Sequence, residues 1–217
     1  VPGFLGTPEG QGLLAKEIGK EFADWDNMVP SIGWGRIVVS SAAKEEWRGL
    51  AGKNFTEAAQ GLGLTEAALF CRLCAENQGK VGVIVMSMAQ ADVDRVLALP
   101  YVSLISDSLY GGGDMPHPRL YGSFPKFLRE YVREKRLLPF GEAVKKMTSL
   151  PAQRLGLGDR GVLAPGMAAD LLQFDPAAFT DRATWENPKQ LAVGLTRVLV
   201  NGKPAGPGAG RLLRRAD

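Results

Sequence analysis

VSLISDSLYGGGDMPHPR, residues 102–119, is the stretch whose reading organises the rest of the chain. Its first four residues form a short apolar run with β-branched side chains, the length and character of a buried strand. Ser106 and Asp107 close that run. Three glycines, Gly111, Gly112 and Gly113, and then Asp114, Pro116 and Pro118 open a loop. The only histidine of the chain, His117, lies in this loop, and Arg119 follows it. A carboxylate at the C-terminal end of a strand, facing a polar loop, is where α/β barrels carry catalytic groups. Spacing alone serves equally well an Asp107 that merely turns the chain, because aspartate is a common turn residue.

Working outward, strands and helices alternate. Residues 1–30 read as helix, with Leu13, Leu14, Ile18 and Phe22 at helical spacing. Residues 35–41, GRIVVSS, read as a buried strand emptying into a loop. A short helical pattern over 55–59 is stopped by Gly61 and Gly63. Thr65 is a good N-cap for a helix to about Glu76. Residues 81–86, VGVIVM, are apolar on both faces, as in a parallel strand covered on each side. Residues 89–99 are helical, with Val93, Val96 and Leu97 as the apolar face and Pro100 as terminator. The order predicts βα units, each strand parallel to the last.

Beyond Arg119 the pattern predicts helices over 124–135, 141–149 and 153–157, the last ended by Gly158. From Gly161 it changes to short strands over 161–163, 169–174, 197–200 and 203–205, with Pro-Gly and Asn-Gly turns. Residues 181–187 read as a loop or helical turn, and the tail after Gly206 as frayed. No internal repeat is visible.

The 217 residues suffice for one large domain or two small ones, and 45% hydrophobic with 23% charged residues is ordinary for a globular protein. A net charge of +3 is too small to argue for a nucleic-acid partner. Arg211, Arg214 and Arg215 cluster in the terminal tail, where solvation is the simplest reading. Cys71 and Cys74 have the C-x-x-C spacing of zinc or redox sites. They stand inside an apolar helical pattern, AALFCRLC, without a second ligand pair, so core packing is the reading taken. No apolar run approaches the roughly 20 residues that span a bilayer, and no membrane partner is expected. No signal peptide is read at the start, so a cytoplasmic location is the default expectation. The first residue is Val1 rather than Met, and the chain is expected to derive from something longer.

Four segments carry a family resemblance. Ser106-Asp107, the Gly- and Pro-containing loop and HPRLYGSFP from His117 to Pro125 resemble the late part of the N-acyl-D-amino-acid deacylases (D-aminoacylases), members of the amidohydrolase superfamily. KMTSLPA, from Lys146, resembles the helix start that follows their barrel. GVLAPGMAADL, from Gly161, and VLVNG, from Val198, resemble the superfamily's C-terminal strand pair and closing hairpin. The resemblance is strong from about Val81 to Gly202. It implies an α/β fold: a partial (β/α) TIM-type barrel holding the last βα units, followed by C-terminal strands of a small β-sandwich domain. Residues 1–158 would be the barrel portion with its following helices, 159–205 the strands of the small domain, and 206–217 a flexible tail.

The resemblance also implies chemistry. Such enzymes cleave the amide bond of N-acyl-D-amino acids to a carboxylate and a free D-amino acid, using a metal ion, usually zinc. Asp107 matches the aspartate that takes the proton of water and returns it to the leaving amine. Arg119 would hold the substrate carboxylate with a bidentate fork. Ser40 or Ser41, after the early strand, would support that carboxylate, although for either one taken singly a hydroxyl that satisfies loop backbone is the commoner role. Tyr110 with the three glycines could form a lid or a plain loop. His117 is expected to order the loop rather than bind metal. One histidine cannot supply the family's metal site, and no spacing of His, Cys and acid here makes a zinc site. Zinc is therefore expected in the complete enzyme, on ligands outside this chain.

A complete barrel needs about 250 residues, and a partial one exposes unpaired strand edges. The expected partners are thus an N-acyl amino acid substrate and either the missing N-terminal barrel portion or a second copy covering those edges. The alternatives are a catalytically incomplete structural or interaction module derived from such a barrel, and a cyclic-amide hydrolase of the dihydroorotase or hydantoinase type. The HPRLYGSFP segment argues against the last.

Overall fold

Caps and breakers written in the sequence set most of the local structure. The computed structural model describes residues 2–109 and 115–213. Its contacts divide them into two units: residues 2–88, 109, 115–117 and 185–187, and residues 89–108, 118–184 and 188–213.

In the first unit, the helix expected over 1–30 is three short ones: α1 (Pro2–Leu5), α2 (Pro8–Glu17) and α3 (Met28–Ile32). Thr7 divides the first two, since its side chain accepts the Gly10 N–H at 3.1 Å and Pro8 starts the new helix. Asn27 caps α3 through the Val29 N–H. Strand β1 (Ile37–Ala42) follows, then α4 (Phe55–Leu62), α5 (Glu66–Glu76) and β2 (Val81–Val85). Asn54 and Glu57 form a capping box on α4, Gly63 ends it at φ +65°, and Thr65 accepts the Ala68 N–H on α5. The apolar faces of these helices meet β1 in one core of Ile37, Val39, Trp47, Leu50, Phe55, Leu69 and Leu73.

The parallel arrangement expected of the strands is not found: β1 and β2 are antiparallel, Ile37 opposite Val85 and Ala42 opposite Val81, with an irregularity between Val39 and Ser41. The connection through α4 and α5 returns the chain beside the end it left, Val81 opposite Ala42. An apolar run specifies a buried strand but not its direction. Nor is β2 covered on both faces, since Val83 remains exposed.

In the second unit, α6 (Gln90–Ala98) ends just before Pro100. The strand expected at 102–105 is absent, for those residues join no ladder. Among their backbone groups the Leu104 N–H donates to the carbonyl of Lys146. Helix α7 (Arg119–Lys126) starts five residues before the expected position and runs into a π-helical segment, Phe127–Glu134. Pro125 lies inside α7; it removes one helical N–H, and the wider turns begin two residues later. Then come α8 (Phe140–Met147) and α9 (Ser149–Arg154). Phe127, Leu128, Tyr131, Ala143 and Phe179 form this unit's core.

The C-terminal strands are β3 (Leu171–Phe174), β4 (Leu195–Val200) and β5 (Lys203–Pro204), antiparallel in that order. Asn201 and Gly202, both at positive φ, turn β4 into β5. Asp170 accepts the Asn201 N–H at 2.8 Å and also pairs with Arg160, which gives the GVLAPGMAAD segment a structural role. Residues 161–163 form no strand: Gly161, at φ +89°, approaches Ala152 so closely that a Cβ would clash, and Leu163 is exposed. The chain is thus of the α/β class, with one two-stranded and one three-stranded sheet among the described residues. Among the described residues no helix is long and apolar enough to cross a membrane.

Candidate functional site

Asp107 ends the unladdered run in the left-handed region, at φ +48°. Aspartate visits this region more readily than most residues, at a cost of about 1–2 kcal/mol. Its side chain is 72% exposed, and its Oδ2 lies 2.9 Å from Nη2 of Arg119, at the first residue of α7. Ser108 ties the two segments together, donating its hydroxyl to the Arg119 carbonyl at 3.2 Å. Ser123 donates to the same carbonyl at 2.9 Å. An exposed ion pair contributes only about 0–1 kcal/mol, so it does little for stability. What it provides is a carboxylate and a guanidinium held face to face in an open position.

The run leading to Asp107 is fixed by Lys146, which the sequence marked only as the start of the KMTSLPA segment. It is 1% exposed. Its ammonium donates to the carbonyls of Leu99 and Val102, the latter at 3.0 Å. Burial pulls its pKa below the ordinary lysine value. The signal was present in its helical register with Ala143, which puts a lysine on the apolar face of α8. Ser103 Oγ, in the same run, is buried with no partner among the described residues.

Arg129 and Asp181 were missed. The guanidinium grips Asp181 twice, Nε to Oδ1 at 2.7 Å and Nη2 to Oδ2 at 3.2 Å, and Glu134 with its remaining nitrogen. Burial pushes the Asp181 carboxyl up, and the hydrogen bonds and charge of Arg129 outweigh it, leaving the pKa below the usual range. The Arg129 pKa is raised, mainly by that hydrogen bond. The two are 52 residues apart, so no local pattern signals the pair.

Ser40 and Ser41 belong to the first unit. Ser40 Oγ donates to the Met115 carbonyl at 2.9 Å, and its own carbonyl accepts the Met115 N–H at 3.0 Å. That hydroxyl proton is therefore committed to loop backbone. Ser41 is half-buried beside Gly82, where a Cβ would come within 2.6 Å of its hydroxyl. His117 packs edge-on against Trp185, ring centres 4.7 Å apart. Met115, Pro116 and Trp185, with Val38, Ile84 and Met86, line a small cavity of about 110 Å³ in the same unit. Tyr110 and Gly111–Gly113 lie outside the described residues.

The donor set does not fit a zinc site. Among the described residues no three His, Cys, Asp or Glu side chains are grouped to hold a metal. Cys71 is buried, and burial raises the thiol pKa of both Cys71 and Cys74, as expected for packing rather than ligation.

Comparison with known proteins gives concordant matches. The amidohydrolase family matches residues 91–205. D-aminoacylase of Alcaligenes xylosoxydans xylosoxydans is 45% identical over 141 residues, 62% of this chain and 29% of that protein. The N-acyl-D-glutamate deacylase of the same organism is 41% identical over 170 residues, 76% of this chain and 34% of that one. The crystal structure of N-acyl-D-glutamate deacylase from Bordetella bronchiseptica, with zinc and a phosphonate mimic of the tetrahedral intermediate, superposes with a TM-score of 0.73 at 35% identity, covering 82% of this chain and 36% of that chain. The chain spans about a third of the length of the curated relatives it matches.

Proposed function

This chain belongs to the amidohydrolase family, and from that premise we propose that it is the C-terminal portion of a hydrolase of N-acyl-D-amino acids. Residues 1–158 would then be the last βα units of a TIM-type barrel with their following helices, 159–205 strands of a small β-domain, and 206–217 a tail. The N-terminal barrel portion, or a second copy, would supply the remaining strands. Zinc would be held there, because the donors among the described residues of this chain do not fit it.

The observation that carries the reading is the opposition of Asp107 and Arg119 at 2.9 Å. Asp107 is the general base: it takes a proton as water oxygen bonds to the amide carbon. It then returns that proton to the nitrogen as the carbon–nitrogen bond breaks. Arg119 binds the α-carboxylate common to the substrates of such enzymes, exchanging the carboxylate of Asp107 for that of the substrate. This exchange frees Asp107 for proton transfer as the substrate arrives. Ser40 or Ser41 would be a supporting donor; for Ser40 this requires release of the Met115 carbonyl.

A second reading, a structural module without chemistry of its own, is favoured by the single histidine. A preceding His-x-His segment in the same polypeptide would decide against it.

The test compares an N-acyl-D-amino acid with the same compound carrying a neutral amide in place of the α-carboxylate. The full-length enzyme is expected to prefer the acid strongly, and Arg119→Ala to lose most of that preference. Equal discrimination by both would show that Arg119 does not read the carboxylate.

A further inference from the structure

Lys146 is the most deeply buried charged side chain among the described residues. Lysine is almost never fully buried unless its ammonium is satisfied. Here it is satisfied by main chain alone: the carbonyls of Leu99 and Val102 accept from it. Its own carbonyl accepts the Leu104 N–H at 3.0 Å. One residue thus holds three backbone groups of the segment that leads into Asp107. That segment joins no strand ladder. Downstream, Ser108 fastens the chain to the Arg119 carbonyl. Asp107 is therefore suspended between two anchors, with Lys146 as the upstream one. An apolar side chain would fill the same space without a desolvated charge. Only the ammonium supplies donors at a point that both carbonyls can reach.

We infer that Lys146 is a positioning residue for Asp107: its ammonium clamps the Leu99 and Val102 carbonyls and so sets where the carboxylate at the end of the run is held. This rests on Asp107 being the proton-transferring group. Misplacing a reacting group by about 1 Å costs on the order of 10²-fold in rate. Arg119 sits on α7, outside the clamped run, so substrate binding through it is spared. The signature is a fall in kcat without a matching rise in KM.

In the full-length enzyme, Lys146→Met, Lys146→Gln and Asp107→Asn are compared on an N-acyl-D-amino acid, with thermal melting as the check on folding. Lys146→Met is expected to lower kcat by about 10–10²-fold with KM nearly unchanged. Lys146→Gln, whose amide reaches one carbonyl at best, should fall less. A folded variant with a lower Tm but wild-type kcat overturns the inference, as does a rise in KM as large as the fall in kcat. Should Lys146→Met fail to fold, Lys146→Gln decides by the same criteria. Should both fail, the Lys146 ammonium protons of the wild type must exchange slowly with solvent by NMR, and free exchange overturns the clamp. If Asp107→Asn keeps wild-type kcat, the reading of Asp107 has failed and this inference falls with it. If Asp107→Asn is inactive while both lysine variants keep kcat, the inference alone has failed.

Discussion

Residues 81–85, VGVIV, and 102–105, VSLI, are alike as sequence: short, apolar, rich in branched side chains and each preceded by a helix. One is strand β2, paired along its length with β1. The other has no ladder and is held by Lys146. The difference is one of neighbours. A strand is a relation between two backbones, and composition marks only the tendency to be extended and buried. Residues 102–105 have that tendency without a partner, as the orphaned hydroxyl of Ser103 also indicates.

The largest contrast between the two runs is chemical, because only the second ends in a candidate base. Asp107→Asn in the full-length enzyme is expected to lower kcat by about 10²–10⁴-fold. Near-normal turnover would make Asp107 a turn residue and the two runs equivalent.

Next in size is the pair that joins distant parts of the second unit. Arg129→Met leaves the Asp181 carboxylate, 8% exposed, without its cation. Breaking a fully buried pair costs roughly 3–5 kcal/mol. Arg129 keeps 30% exposure, so about 2–3 kcal/mol is expected from denaturant unfolding. Asp181 has a lowered pKa in the folded protein. Its contribution is therefore present above the unfolded value of about 3.9 and lost as pH falls through the folded value. Arg129→Met should flatten stability against pH in that acid window, and an unchanged acid limb would assign the dependence to other carboxylates.

Smaller effects compare the runs directly. Val39, fully buried opposite Val83 of β2, should cost about 2 kcal/mol when changed to Ala. Ser103→Ala should be neutral or stabilising by up to about 1 kcal/mol, since it removes an unpaired buried hydroxyl. If Ser103→Ala destabilises the full-length protein, another segment supplies that hydroxyl with a partner. Hydrogen exchange probes the same point without mutation. Alternate amides of β2 should be protected, and of 103–105 only Leu104. Protection of Ser103 and Ile105 in the full-length protein would reveal a ladder contributed from outside these residues.

The candidate site was legible to an unequal degree. Asp107 and Arg119 could be singled out because a short motif places them, and the fold brings them to 2.9 Å of each other. That Arg119 opens a helix rather than closing a loop was hidden by Pro116 and Pro118, which read as part of the loop before it. Lys146 was visible only as the start of KMTSLPA, because burial is a property of its neighbours. Ser40 was visible as a hydroxyl after a strand, but its commitment to Met115, 75 residues away, was not.

What the sequence determined by itself is local: the Thr65 cap and extent of α5, the stop at Pro100, the Asn201-Gly202 turn and the α/β class. Each depends on residues within a few positions of one another, so the information is contiguous in the chain. The tertiary structure alone decided the antiparallel sense of β1 and β2, the missing ladder at 102–105, and the burial of Lys146 against Leu99 and Val102. These depend on which backbone groups remain unpaired once the helices have packed, and hydrogen-bond partners tens of residues apart leave no periodic trace in the sequence.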